Sequence, residues 1–268
     1  MKLSIFNSGK KKTGEIDLPS QFSEEYRPDL IKRAVHALQA NSRQAYGADP
    51  DAGMRSSSKL SKRRRKYRGS YGFGISRVNR KILSRRGTRF SWVGAFSPQT
   101  TGGRKAHAPK SEKILAEKVN RKENRKAIRS AMTATLNKCL VEKRGHKVPV
   151  DYPFVLNNDI ENMEKTKDVE QVLIDLGFQD ELKRSLLKKI RAGLGTMRGR
   201  KYRKKKSVLI VTGGKCALSK AAKNLSGIDV VEAKELNAEL LSPGTMSGRV
   251  TLWTENAVKK IAEEKLFR

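Results

Sequence analysis

The chain has 268 residues in which 59 Lys and Arg stand against 27 Asp and Glu, a formal net charge of +32 with a pI near 10.4. Charge of that size exceeds what solubility requires and selects a polyanion as partner. Hydrophobic residues make up 37%, enough for one sizeable core but not for a chain compact from end to end.

In chain order, "KLSIFNS" and "GEIDLP" read as short paired strands. "RPDLIKRAVHALQANSRQ" sets Leu30, Ile31, Ala34 and Leu38 on one helical face, with Pro28 suited to the first turn. From Ala52 to Ser111 there are seventeen Lys or Arg and no Asp or Glu. Like charges repel, glycines are scattered among them, and too little apolar surface is available to offset the ordering entropy. This segment is expected to be disordered until a partner orders it.

"NRKENRKAIRSAMTATLNKCLVEKRG" is expected to form one long helix. Ile128, Met132, Thr135 or Leu136, and Cys139 or Leu140 lie on its inner face, and Lys143, Arg144 and Gly145 close its C-terminal end. Beyond it the strand-like runs "YPFVLN", "SVLIVT", "IDVVEA" and "RVTLWT" alternate with helical patterns. The helical runs are "TKDVEQVLIDLG", "DELKRSLLKKIRAG", "ALSKAAKNL", "KELNAELL" and "ENAVKKIAEEKL". Strands apolar on both faces, each followed by a helix, predict a parallel sheet covered by helices. The expected fold class is α/β, a Rossmann-like sheet covered by helices, with an extended basic loop inserted after the first long helix. Residues 1–46 and 111–268 would form the globular domain and residues 47–110 the loop. Out and back at about 3.3 Å per residue, the loop could reach ~100 Å, and in practice about half to two-thirds of that.

Enzyme chemistry is not indicated. "GLGTMRG", Gly193 to Gly199, has Arg198 where the third glycine of a dinucleotide fingerprint falls, and it is expected to follow a helix. "VTGGKCALS" follows a strand, but Leu209 stands where a P-loop needs its first glycine before Gly214 and Lys215. His36, His107 and His146 have no partner at ligand spacing, and no H-E-x-x-H or G-x-S-x-G occurs. Cys139 and Cys216 are isolated and are expected to be ordinary buried or half-buried thiols. No cofactor, metal, catalytic residue or small-molecule substrate is therefore expected. Neither a secretory leader nor a segment of the ~18 apolar residues of a membrane span is present, so a cytoplasmic location without a membrane partner is expected.

What remains is RNA chemistry, in which cations neutralise phosphates while aromatic and guanidinium planes stack on unpaired bases. "SKLSKRRRKYRGSYGFGISRVNRKILSRRGTRFSW" interleaves both. Candidate phosphate contacts are Arg63, Arg64, Arg65, Lys66, Arg68, Arg77, Arg80, Lys81, Arg85, Arg86 and Arg89, with Arg55 before the stretch. Candidate stacking rings are Tyr67, Tyr71, Phe73, Phe90 and Trp92. Arg104, Lys105, His107 and Lys110 follow, and His107 and His146 are both expected in basic, loop-like surroundings. A second stretch, Leu182 to Ile228, is again free of acid and brings Arg198, Arg200, Lys201, Tyr202 and Arg203 to a glycine-rich turn suited to phosphate.

Several of these segments resemble a known family. "RPDLIKRAVHALQANSRQAYGADPDAG", "SYGFGISRVNR", "GGRKAHAPKSEK", "KENRKAIRSAMTAT", "RAGLGTMRGRKYRKKKSVLIVT" and "GRVTLWTENAV" occur in order over essentially the whole chain. They resemble the archaeal and eukaryotic form of universal large-subunit ribosomal protein four. The resemblance implies a structural constituent of the large ribosomal subunit that binds ribosomal RNA and supports assembly beside neighbouring ribosomal proteins. It also implies a loop threading towards the nascent-peptide exit tunnel. "SYGFGISR" matches the family's S-W-G-T-G-R element, with Tyr71 and Phe73 in place of Trp and a small residue. The end at Arg268, without a long basic tail, implies an archaeal source. The acid-bearing helix at Glu255 to Glu264 is a candidate protein contact. A non-ribosomal RNA-binding regulator and a nucleic-acid-modifying enzyme are the alternatives, the second demoted by the missing fingerprint.

Overall fold

Apolar side chains on both faces of the central strands oblige the chain to cover its sheet twice. The computed structural model describes residues 1–268. In chain order the elements are β1 (Lys2–Phe6), β2 (Lys12–Asp17), α1 (Pro28–Asn41), β3 (Arg80–Arg86), β4 (Arg89–Gly94), α2 (Arg121–Leu136) and α3 (Lys138–Lys143). They continue with β5 (Val155–Leu156), α4 (Thr166–Asp175), α5 (Gln179–Leu186), β6 (Lys189–Ile190), β7 (Tyr202–Arg203), β8 (Leu209–Thr212) and α6 (Leu218–Ala221). The last are β9 (Asp229–Glu232), α7 (Ala238–Leu241), β10 (Thr251–Thr254) and α8 (Glu255–Glu263). The chain divides into two units, Met1–Ser42 with Ala116–Arg268, and Arg43–Leu115.

The first unit is built on a six-stranded sheet in the order β2-β1-β5-β10-β8-β9. β2 runs antiparallel to β1, and the other neighbours are parallel. Leu3, Ile5, Val155, Leu209, Val211 and Trp253 project into a core shared with Ile31 and Val35 of α1, Ile128 and Met132 of α2, Leu241 of α7 and Ile261 of α8. Phe154, Leu156, Ile210 and Leu252 project the other way, onto Val169 and Leu173 of α4, Leu182 of α5 and Leu218 of α6. The period-2 alternation of each strand thus supplies two cores. Trp253 meets Phe22 edge to face at 4.9 Å, and Phe154 meets Phe6 in the same way at 5.1 Å. The chain is α/β with helices on both faces of a largely parallel sheet.

Several expected helices are shorter than their patterns: "ALSKAAKNL" is α-helical only over Leu218–Ala221, and "KELNAELL" is extended at Leu236 and starts again at Ala238, where the Asn237 side chain accepts the Leu240 N–H. The long helix after the basic segment breaks at Asn137, whose backbone is extended (φ −85°, ψ 103°). Its side-chain oxygen accepts the Leu140 N–H and caps α3 as a new helix. The break takes Cys139 off the inner face: it is exposed, not buried, whereas Cys216 is half-buried. The helix expected over "DELKRSLLKKIRAG" ends at Leu186, where continuation would set Arg184 and Lys188 one turn apart as like charges. Lys189–Ile190 instead pairs with Tyr202–Arg203.

In the second unit β3 and β4 form a hairpin with Ile82 opposite Trp92 and Arg85 opposite Phe90. Composition does not announce it. The local signals are the alternation of Phe90 and Trp92 and the turn residue Gly87, whose φ of 58° is the left-handed conformation a tight hairpin needs. Towards the ends of this unit Ala48 N–H donates to the Pro109 carbonyl at 2.9 Å. Gly53, at φ +77°, lies so close to Gly103 that a Cβ would stand 2.5 Å from its carbonyl carbon.

Neither core cluster of the first unit contains a residue between Ser58 and Gly103. Deleting Ser58 to Gly103 is therefore expected to leave one cooperative thermal transition, within a few degrees of that of the full chain. Loss of that transition in calorimetry would show that the first unit depends on the deleted segment.

Candidate nucleic-acid interface

Three of the five candidate stacking rings pack on one another. Tyr67 meets Phe90 at 5.6 Å and Phe90 meets Trp92 at 5.0 Å, both edge to face. Arg85 lies over Tyr67 at 5.8 Å and Arg80 over Trp92 at 5.7 Å. Aromatic pairs contribute about 0.5–1.5 kcal/mol each beyond area burial, so this ladder gives the hairpin local apolar support, with Phe90 and Trp92 half-buried. Outside the ladder Tyr71 is 37% and Phe73 69% exposed, and Tyr67 at the ladder's end is itself 50% exposed. Tyr71 is oriented by Arg77, whose Nη1 donates to its hydroxyl at 3.3 Å while the guanidinium carbon lies 5.4 Å from the ring centroid.

Around these rings Arg63, Arg64, Arg65, Lys66, Arg77, Arg85, Arg86 and Arg89 are exposed, and Arg68, Arg80 and Lys81 are half-buried. Arg55 is paired with Asp49. Arg104, Lys105, His107 and Lys110 share a cleft of about 1400 Å³ with Tyr46 and Asp49.

The second basic surface is the β6–β7 hairpin, where Arg198, Arg200, Lys201, Tyr202 and Arg203 are all exposed. The glycine-rich turn follows a strand, not the helix expected before it. It closes on itself: Arg191 N–H donates to Lys201 O at 2.8 Å and Arg200 N–H to Gly195 O at 2.9 Å. Lys188 and Lys201 place their ammonium groups 5.6 and 5.7 Å from the Tyr202 ring centroid.

A buried carboxylate anchors the root of this hairpin. Glu181 Oε1 accepts from His146 Nδ1 at 2.7 Å, Arg184 Nη2 at 2.6 Å and Ser207 Oγ at 3.0 Å. Oε2 accepts from Arg184 Nε at 2.8 Å and Lys147 N–H at 3.0 Å. Arg184 Nη2 also donates to the Lys206 carbonyl at 2.7 Å, where the hairpin rejoins the sheet. Burial pushes the Glu181 carboxyl up, but the bonds from Arg184, His146 and the Lys147 N–H outweigh it and hold the group at about 2. His146 is therefore buried, not set in basic loop surroundings as expected. Burial lowers its pKa, against the opposing bond to Glu181. Its partner lies 35 residues away in sequence, a separation that no local pattern signals.

A second carboxylate stands at the carboxyl ends of two adjacent strands, β8 and β10. The chain leaves β8 for α6 on one face and leaves the adjacent β10 for α8 on the other, and that divergence opens a crevice at the strand ends. Glu161 Oε1 bridges the two strand ends there, accepting from Gly213 N–H at 3.1 Å and Thr254 Oγ1 at 2.6 Å, while Asn256 Nδ2 donates to Oε2 at 3.2 Å. A hollow of about 870 Å³ nearby is lined by both signs of charge, including Lys215, Lys220, Glu232 and Glu235. No three His, Cys, Asp or Glu side chains gather as a metal cluster. The chemistry on offer is that of exposed cations and exposed rings.

Residues 16–264 match the sequence model of a family described as the ribosomal protein L4/L1 family. The chain is 46% identical to the large ribosomal subunit protein uL4 of Nanoarchaeum equitans over 100% of both chains. It is 48% identical to the uL4 of Methanoculleus marisnigri over 93% of this chain and 94% of the relative, and 45% identical to that of Archaeoglobus fulgidus over 98% and 99%.

Replacing Glu181 by Gln is expected to cost about 3 kcal/mol, because Arg184 loses its buried counter-charge. The wild-type contribution carries a pH signature. A carboxyl held at about 2 in the folded chain, against an ordinary 4.5, stabilises fully above pH 4.5 and is lost as pH falls from 4.5 towards 2. Denaturant titrations across that window are expected to show the wild type converging on Glu181→Gln.

Proposed function

The chain belongs to the ribosomal protein L4/L1 family, and on that premise we propose that it is a structural constituent of the large ribosomal subunit, binding ribosomal RNA as part of translation. The observation that carries this reading is the division of labour among the cations. Acid-free surfaces stand on short hairpins, one steadied by its own aromatic ladder and one by Glu181, with Tyr71 and Phe73 left open beside Arg77. Irregular RNA offers phosphates for the first feature and unpaired bases for the second.

In this reading the first unit is a Rossmann-like anchor, and residues 47–110 act as an extended loop that RNA draws out between its helices. The loop runs towards the nascent-peptide exit tunnel, with the "SYGFGISR" element at its tip. Arg63 to Lys66, Arg77, Arg85, Arg86 and Arg89 neutralise phosphates there, and Arg198, Arg200, Lys201 and Arg203 make the second footprint. The protein is not an enzyme. It supports subunit assembly in the cytoplasm beside other large-subunit proteins, which the acid-bearing α8 is suited to meet.

With about ten phosphates neutralised, log affinity for large-subunit RNA is expected to fall against log salt with a slope of roughly −7 to −9. In sedimentation the chain is expected to stay with large subunits after a high-salt wash. A free pool bound to one short RNA would instead establish a non-ribosomal regulator.

A further inference from the structure

Most of the strongly buried cations in this protein have a carboxylate: Arg249, fully buried, has Asp229, Arg184 has Glu181, and Arg129 has Glu24. Arg144 has none. It follows the last turn of α3, half-buried, with Nη2 donating to the Pro243 carbonyl at 2.7 Å and Nη1 buried without a partner. Its charged neighbours are of its own sign, for burial, then Arg249, then Arg184 push its pKa down to about 10.

The segment it leans on is similarly short of partners. Ser242 Oγ and Ser247 Oγ are buried with no hydrogen bond, and Ser242 is wholly inaccessible. Gly248, at the end of the segment, packs so closely on α3 that a Cβ would stand 2.8 Å from the Leu140 carbonyl oxygen. Helix and segment therefore touch at Leu140 and again at Arg144. The junction holds one guanidinium nitrogen and two hydroxyls without a partner from within, and leaving such groups unsatisfied is costly. Lys143 and Lys147 are exposed on either side of Arg144 in sequence.

We propose that the junction of α3 with Ser242–Gly248 is a phosphate-binding site for the RNA backbone, in which Arg144 supplies the charge. A phosphate provides what Arg144 lacks, since its oxygens accept both arms of a guanidinium fork. Because Arg144 is only half-buried, rotation of its own side chain releases the Pro243 carbonyl and presents the fork at the surface. The flanking lysines favour a polyanion over a lone small anion. The site rests on the ribosomal RNA reading given above and extends the footprint beyond the two acid-free stretches.

The test uses the full chain, its Arg144→Met and Lys143→Met variants, and transcribed large-subunit RNA. Arg144→Met is expected to weaken binding about fivefold to tenfold and to make the salt slope shallower by about 1, more than Lys143→Met does. In chloride Arg144→Met is expected to melt no lower than the wild type, since it removes an unpaired buried charge. Inorganic phosphate at constant ionic strength is expected to raise the melting temperature of the wild type and not that of Arg144→Met. Equal affinity and slope for the two chains, or a variant that melts several degrees lower while phosphate shifts both equally, would overturn the site and leave Arg144 a structural residue. Failure of the wild type to bind the RNA at all would overturn the reading of function, and the RNA ligand with it.

Discussion

Mutual repulsion among 59 cations, set against only 27 carboxylates, is the constraint under which this fold is assembled. The chain meets it by setting a few carboxylates, Glu181, Asp229 and Glu24, against its most buried arginines and by leaving most other cations on surfaces where water screens them. Glu181 is the clearest case, a buried acid that binds Arg184, His146 and the root of a strongly basic hairpin in one network. Asp229 does the same for the fully buried Arg249. Each is destabilising if isolated and favourable only as part of its pair, so the two networks fix which cations belong to the core and which face outward.

The same constraint explains how the basic segment carries structure at all. Tyr67, Phe90 and Trp92 would be poor core residues elsewhere, but in a hairpin with few aliphatic side chains they supply the local apolar contact. Arg80 and Arg85 lie over Trp92 and Tyr67, so cations that would otherwise disrupt the cluster become part of it. Tyr71 and Phe73 stand outside that ladder within the same run of sequence.

Much of the α/β core was legible from alternation and helical spacing, because "SVLIVT", "RVTLWT" and the face through Ile31 and Ala34 depend on local periodicity. The misreadings share a cause in contacts distant along the chain or in single capping atoms. Asn137 ends a helix through one side-chain oxygen, which no hydrophobic pattern registers. His146 looked like a loop residue among cations because Glu181 is far away in sequence. Of the candidate site, the distribution of charge was readable, but the sorting of the rings was not, since it depends on the register that sets Ile82 opposite Trp92 and Arg85 opposite Phe90. Arg144 stands in plain view as a helix-ending cation, and only the folded chain shows its buried, unpaired Nη1 beside charges of its own sign.

Glu161, held by Gly213, Thr254 and Asn256, has a consequence for how the protein matures. Gly213 lies 52 residues and Thr254 93 residues beyond it in the chain. Glu161 therefore stays without these partners until β8 and then β10 have been made, and its bonds close only when the last strand is at hand.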